Sequence, residues 1–557
     1  MKHSYFTIAL FFLTLFGSAQ IAPYKYFISF KDKNGTPYSV NNPEAFLTQR
    51  AIQRRANQEI MITEQDLPVN PSYVAQVANV GVTVFTRSKW FNGITIFTMD
   101  TTKLATIRAL PFVNSITKNV IVGNGVNPVK NKFRVEENSI TPVSPENRIK
   151  SSPTSYKYGP SYTQIHQMKG DLLHNMGYRG QGKVIAILDA GFTQANTLIA
   201  FDSLWQNNQI LGTKDFVLPG GNVFTQHTHG MEVLSLMGGN VPGQIIGTAP
   251  KSSFWLLRSE DADTEYPVEE YNWVSAAEFA DSVGADIITS SLGYTTFDDP
   301  SMNHTCADMD GHTTPAARGA NIASLKGMVV TVSAGNEGGS SWMCVSTPSD
   351  GDNVLSIAAV DSMGFRAGFS SPGVDTNGRV KPNVAAMGQD DVVFVLGNTI
   401  GRGNGTSFSC PLVAGMTACL WQAHPDATPA EIYRAIQESA SQYASPDSLL
   451  GYGIPDFTTA MVVLSTKTKL VSHLKIYPNP FSSDFNVNYY SNSIQKISVD
   501  LYDMTGRLVI SQQAITGRAG ENSYRLMNLE NIPSGLYLVK VQGENFSESY
   551  RIIKAEK

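Results

Sequence analysis

Apolar and polar positions follow one rhythm through the middle of the chain and different ones towards its ends. Between about 159 and 465 the apolar residues come in near-continuous runs: VIAILD (184–189), FWLLR (254–258), DIITSSL (286–292), MVVTVSA (328–334) and VLSIAAV (354–360). Runs of this kind are buried on both faces. They predict a mainly parallel sheet with helices on each side, a three-layer αβα domain. Upstream, YKYFISFK (24–31) alternates like a strand and stops at the turn Asp32-Lys33-Asn34-Gly35. A helix over 71–79, strands near 82–88 and 93–98, a helix over 101–109 and a strand over 112–117 follow. That order, strand-helix-strand-strand-helix-strand, predicts a ferredoxin-like α+β domain. From 474 onwards short alternating strands (LKIYPNPFSSDFNVNYY, KISVDLYDMTGRLVI, SGLYLVKV) are separated by Gly, Pro, Asn and Ser, which predicts a small β-sandwich. Residues 121–158, rich in Asn, Pro, Ser and charge and without clear periodicity, read as an exposed linker.

The first residues have a different design. Lys2 and His3 precede an apolar run from Tyr5 to Phe16, too short to span a bilayer, and Gly17-Ser18-Ala19 offers small residues for cleavage. A signal peptide over 1–19 is expected, in preference to a buried N-terminal helix. The organisation expected is therefore a signal peptide at 1–19, an N-terminal domain at 20–120, a linker at 121–158, an α/β domain at 159–465 and a C-terminal β-sandwich at 470–557. No later apolar run is long enough for a transmembrane helix.

Composition removes several alternatives. With 42 Lys and Arg against 47 Asp and Glu in 557 residues the net charge is -5, and no basic run offers a footprint for nucleic acid. Four cysteines, Cys306, Cys344, Cys410 and Cys419, are too few for a disulfide scaffold and lack the paired spacing of a zinc site. Cys410 and Cys419, nine residues apart on one expected helix, are about 13 Å apart at 1.5 Å per residue and read as core residues. Cys306 and Cys344 fall in loop-like segments of an exported chain and can pair.

In parallel sheets the chemistry collects at the carboxyl ends of the strands. Asp189 closes VIAILD and is followed by Ala190-Gly191; taken alone, it reads as a cap or turn residue. His229, in QHTHGMEVLSLMGG, opens an apolar helix, and His227 beside it raises a metal site that lacks further ligands. Ser407, in NGTSFSCPLVAG, sits at the start of an apolar helix over about 408–421, with Pro411 expected in its first turn; taken alone, it is a helix cap. Asn336, after the strand MVVTVSA, can donate its side-chain amide to a developing negative charge.

Together these pieces, in the order Asp, His, Ser, resemble the subtilisin-like serine proteases (subtilases). The motifs that carry the likeness are DAGF (189–192), HGMEV (229–233), GTAP (247–250), SSLG (290–293), SAGNEG (333–338) and GTSFSCPLVAG (405–415). The resemblance implies an endopeptidase in which Ser407 is the nucleophile, His229 the general base, Asp189 its orienting partner and Asn336 an oxyanion-hole donor. It implies a substrate strand laid along Ser291, Leu292 and Gly293, with Ala334 and Gly335 on the specificity pocket, and a large or apolar residue before the scissile bond. Ala190 and Met231 depart from the Ser/Thr and Thr usual in the family, and neither belongs to the triad. No cofactor is implied for the chemistry. Calcium is common in the family, and the Asp/Asn-rich loop 298–311 is read as solvated, with no ligands assigned.

The flanks fit the same resemblance. Residues 20–120 look like an inhibitory prodomain released by a cut in the linker. The tail, through KIYPNP (475–480), DMTGR (503–507) and SGLYLVKV (534–541), resembles a type IX secretion sorting domain. The implied partners are polypeptide substrates, the chain's own prodomain and the secretion machinery, with a secreted or cell-surface location. The competing expectation is a catalytically inactive surface adhesin on the same scaffold.

Overall fold

Residues 24–118, 131–143, 156–373, 378–467, 475–491, 495–503, 505, 507–518, 520–543 and 547–555 are described by a computed structural model. The expected signal peptide, and 121–130 and 144–155 of the expected linker, lie outside the described residues.

The N-terminal region runs β1 (Lys25–Phe30), α1 (Gln49–Asn57), α2 (Pro71–Ala78), β2 (Thr83–Ser88), β3 (Gly93–Phe97), α3 (Thr102–Arg108) and β4 (Val113–Lys118). Its antiparallel sheet has the order β2-β3-β1-β4, the ferredoxin-like arrangement. Alternation in β1 sorts the side chains. Tyr26, Ile28 and Phe30 enter the region's own core with Val77, Ile94, Ile96 and Ile107. Phe27 points the other way and stacks on Tyr271 at 4.3 Å.

After α4 (Arg134–Ser139), β5 (Thr141–Pro142), α5 (Tyr162–His166) and α6 (Gly170–Asn175) comes the α/β region. Its strands are β6 (Val184–Asp189), β7 (Ile210–Asp215), the short hairpin β8 (Asn240–Val241) and β9 (Ile245–Ile246), β10 (Ser253–Arg258), β11 (Ile287–Ser290), β12 (Val329–Ser333), β13 (Leu355–Val360) and β14 (Val384–Met387). All except the hairpin join one parallel sheet of order β14-β13-β12-β11-β6-β10-β7. Every side chain of β6, β12 and β13 is buried, as continuous apolar runs require. The sheet is covered by α8 (His229–Gly238) and α11 (Thr406–Ala423), which pack on each other, and by α9 (Val268–Val283) and α10 (Pro315–Leu325), which do likewise.

Two strands of the sheet, β7 and β14, are absent from the sequence reading. In β7 the apolar run stops after Leu211 because the strand forms an edge with exposed side chains, and β14, at the other edge, is buried but only four residues long. The helix α1 was also not foreseen. Its sequence QRAIQRRAN is almost wholly polar, and its buried face is charged. Thr48 caps it through Ala51 N–H, while Arg54 and Arg55 face inward onto Asp281 of α9 at 2.6 and 2.8 Å. Lys89 adds a third cation to the same carboxylate at 2.8 Å. Asp66, paired with Arg55 at 2.9 Å and Lys326 at 3.0 Å, extends the network.

The stretch 131–143, expected as part of an exposed linker, is a correction. It contains α4, and β5 pairs antiparallel with Gly401 and Arg402 of β16 (Thr399–Gly403), itself paired with β15 (Asp391–Val395). Polar composition predicted solvent, yet Phe133 and Glu136 are buried because they meet groups of the α/β region.

The compact unit 461–557 is described by itself. One sheet has three strands and the other four, and Phe485, Val487, Val499, Leu501, Val539 and Ile552 from both fill one core, the expected sandwich. Among the described residues no helix is long and apolar enough to cross a membrane.

Asp281 is fully buried and answers three cations. Replacing it (Asp281→Asn) removes the carboxylate facing Arg54 and Lys89, while Arg55 keeps Asp66, and is expected to destabilise the full chain by about 3–5 kcal/mol. The denaturant midpoint of the variant against wild type measures this.

Candidate active site

Three strand ends and two helix starts converge at the carboxyl edge of the sheet. Asp189, the last residue of β6, is wholly buried. Its Oδ1 lies 2.8 Å from His229 Nδ1 and accepts the Ala190 N–H at 2.7 Å. His229 is the first residue of α8, and the helix reaches the strand end because residue 230 is glycine. A Cβ there would stand 2.5 Å from Gly191 O and 2.8 Å from Asp189 Cβ.

Ser407 is the second residue of α11, where backbone N–H groups are unpaired within the helix. The helix begins at Thr406, earlier than expected, so Pro411 lies in its second turn and not in the first. Proline cannot donate to the carbonyl four residues back, which is that of Ser407. The Ser291 hydroxyl donates to this freed carbonyl at 2.8 Å. A helix irregularity thereby ties the segment 291–293 to Ser407.

Asn336 follows β12. Its Oδ1 accepts both the N–H and the hydroxyl of Thr406 at 2.9 Å, which turns the amide nitrogen towards Ser407. That nitrogen donates to Glu136 Oε1. Glu136 is the residue the sequence reading missed. Its Oε1 also accepts the Ser407 hydroxyl at 2.9 Å, and its Oε2 forms an ion pair with His229 Nε2 at 3.0 Å. The carboxylate thus stands between the serine and the imidazole, against Gly405, where a Cβ would come 2.8 Å from Glu136 Oε1. Phe133 stacks on His229 at 4.3 Å, and Glu137 pairs with His227 Nε2 at 2.8 Å. Nothing in the polar text RVEENS marks these residues, because their partners lie far away in sequence.

The cleft around Ser407 has a volume of about 290 Å³ and is lined by Ser291, Leu292, Gly293, Gly335 and Asn336, among others. Ala334, expected on its wall, is not a lining residue. Its N–H donates to Ile357 O and its carbonyl accepts the Ser346 N–H, so it belongs to the framework behind the wall. Cys306 and Cys344 are disulfide-bonded, and Cys410 and Cys419 are buried and free. In the loop 298–311, Asp299, Asp308 and Asp310 accept hydrogen bonds from nearby backbone N–H groups, as turn-capping residues do. Among the described residues, three carboxylates close enough to share a cation occur at Glu260, Glu265 and Glu269.

Comparison with known proteins places these regions. Residues 25–135 match the peptidase S8 propeptide domain of Bacteroidota, 180–453 the subtilase family, and 475–555 a secretion system C-terminal sorting domain. The last indicates export to the cell surface or the medium. Subtilisin of Bacillus pumilus is 29% identical over 294 residues, covering 52% of this chain and 94% of its own. Subtilisin E of Bacillus subtilis (strain 168) is 29% identical over 294 residues, 52% of this chain and 68% of its own. The crystal structure of MycP1 with its N-terminal propeptide removed aligns with a TM-score of 0.42 at 21% identity, over 54% of this chain and 96% of that one.

Burial alone would lower the basicity of His229, but Asp189 and Glu136 outweigh it and hold the imidazole well above its ordinary range. The ion pair with Glu136 is therefore fully present below the ordinary imidazole value and is lost as pH rises through the raised one. In the full chain, histidine NMR should find His229 still protonated above pH 6.5, and Glu136→Gln should lower its midpoint. An unchanged midpoint would refute the contact.

Proposed function

We propose that this chain, which carries a subtilase-family domain between a Bacteroidota S8 propeptide domain and a secretion sorting domain, is an exported serine endopeptidase held closed by its own N-terminal region. The observation that carries this reading is the Glu136 carboxylate, whose oxygens meet the Ser407 hydroxyl, the Asn336 amide and His229 Nε2 at once. A carboxylate suits this spot because the groups around it suit the oxyanion of a tetrahedral intermediate.

With Glu136 withdrawn, His229 Nε2 takes the Ser407 proton as the hydroxyl oxygen attacks a substrate carbonyl. Negative charge gathers on the former carbonyl oxygen, where the Asn336 Nδ2–H and the Ser407 backbone N–H receive it. His229 then protonates the leaving amine, which departs and leaves an acyl-enzyme. Water, activated by the same imidazole, releases the second product. Asp189 fixes the imidazole through Nδ1 and stabilises its cationic form. Extended substrate pairs with Ser291, Leu292 and Gly293 by strand addition, and Gly335 borders the primary pocket.

Closure follows from the same geometry. Residues 134–139 are helical, so the segment in the cleft presents a side chain to Ser407 in place of an extended scissile peptide. The imidazole that must accept the serine proton is occupied by Glu136 Oε2. Release requires the N-terminal region to leave, after a cut in the stretch that joins it to the α/β region.

Full-length chain incubated with casein should show a lag that ends when the N-terminal region is cut away. Ser407→Ala should give no turnover even after an added protease has made that cut. Asn336→Ala should lower kcat about 10²–10³-fold, the effect of losing one oxyanion donor. Casein turnover by Ser407→Ala would refute the assignment.

A further inference from the structure

Lys132, four residues before Glu136, enters a buried acidic chamber that opens on the cleft. Its Nζ pairs with Glu260, with Glu265 at 2.5 Å and with Glu269 at 3.3 Å. These carboxylates are 1%, 9% and 2% exposed. Glu260 and Glu265 line the same cavity as Ser407, Asn336 and Leu292. The chamber is held rigidly from behind. Tyr294 Oη donates to Glu260 at 2.9 Å, while the N–H groups of Asp261 and Tyr266 donate to the two oxygens of Glu269 at 2.8 and 2.9 Å. Glu265 Oε1 is buried and accepts no hydrogen bond. It faces a chamber with capacity left for a donor.

The lysine is delivered as a peptide residue. Its own N–H donates to Ala262 O at 3.3 Å, and the next residue, Phe133, stacks on His229. A polypeptide lying in this cleft therefore places a cation among three glutamates while its later residues reach the imidazole and the serine. When the N-terminal region departs, Lys132 leaves with it, and three closely spaced buried carboxylates lose their counter-charge. Uncompensated buried charge is costly, so the glutamates either take up protons or accept the next cation to enter, and a bound cation favours their charged form. Burial already pushes Glu269 up to about 8 against the opposing pull of Lys132.

We propose that Glu260, Glu265 and Glu269 form a substrate subsite for a lysine or arginine side chain on the acyl side of the scissile bond, filled in the uncut chain by Lys132. Arginine belongs to the same class because it offers five donors to three carboxylates, of which Glu265 Oε1 has no hydrogen-bond partner. This inference rests on the proteolytic reading of the cleft and adds a substrate class to it, where the sequence suggested a large or apolar residue before the scissile bond.

The test uses enzyme matured from the full chain and fluorogenic peptides varied at each of the four positions before the cut. At one of them lysine or arginine should exceed norleucine in kcat/KM by about tenfold or more, and Glu265→Gln should bring that ratio close to one. A second measurement needs no enzyme variant. A synthetic peptide copying residues 131–143 should inhibit the matured enzyme, and its Lys132→Met form should do so at least about tenfold more weakly, with Lys132→Arg retained. Casein cleavage without any basic preference, and equal inhibition by the Lys132 and Met peptides, would overturn the subsite and leave the protease reading intact. Loss of the preference in millimolar calcium would overturn it in favour of a metal site. No cleavage of casein or of any peptide would remove both readings together.

Discussion

A carboxylate buried without a counter-charge is among the costliest arrangements a protein can hold, and this molecule is organised around meeting that demand. Asp189 ends β6 inside the sheet with no exposed surface, and the imidazole of His229 answers it. Gly230 lets α8 come close enough for that answer to be given at 2.8 Å. The imidazole, held cationic by Asp189, in turn calls for a second anion on its other nitrogen, and Glu136 supplies it.

The same logic recurs in two further contacts of the N-terminal region with the α/β region. Asp281 collects Arg54, Arg55 and Lys89, and the chamber of Glu260, Glu265 and Glu269 collects Lys132. Apolar contact adds to these, through Phe27 on Tyr271 and Phe133 on His229. Clustering opposite charges in this way gives a specific register, because any shift strands several buried ions at once.

The surroundings of Ser407 illustrate how a local defect becomes a framework. Pro411 deprives the Ser407 carbonyl of its helical partner, and Ser291 fills the vacancy. The strand segment that would pair with substrate is thereby locked in register with the serine. Thr406 performs the matching task for Asn336, taking its oxygen so that its nitrogen faces the cleft. These ties explain why the motif residues around Ser407 matter beyond the serine itself.

The linear text by itself determined the β6, β10, β11, β12 and β13 strands, the ferredoxin-like order of the N-terminal region and the sandwich tail, because burial on one or two faces writes a period into a chain. It also brought Asp189, His229, Asn336 and Ser407 forward, through the order of motifs that resembles the subtilases, although Asp189 and Ser407 taken alone read as cap or turn residues. Only the tertiary structure decided that a polar stretch at 131–143 fills the cleft, that α1 is a charged interface helix, that Ala334 stands behind the wall, and that Lys132 finds three glutamates. Ala334 apart, those segments are mainly polar and aperiodic, and their partners lie far away in sequence. A buried ion pair leaves no periodic trace in either segment: each half reads as solvent-exposed until the fold brings the other to it.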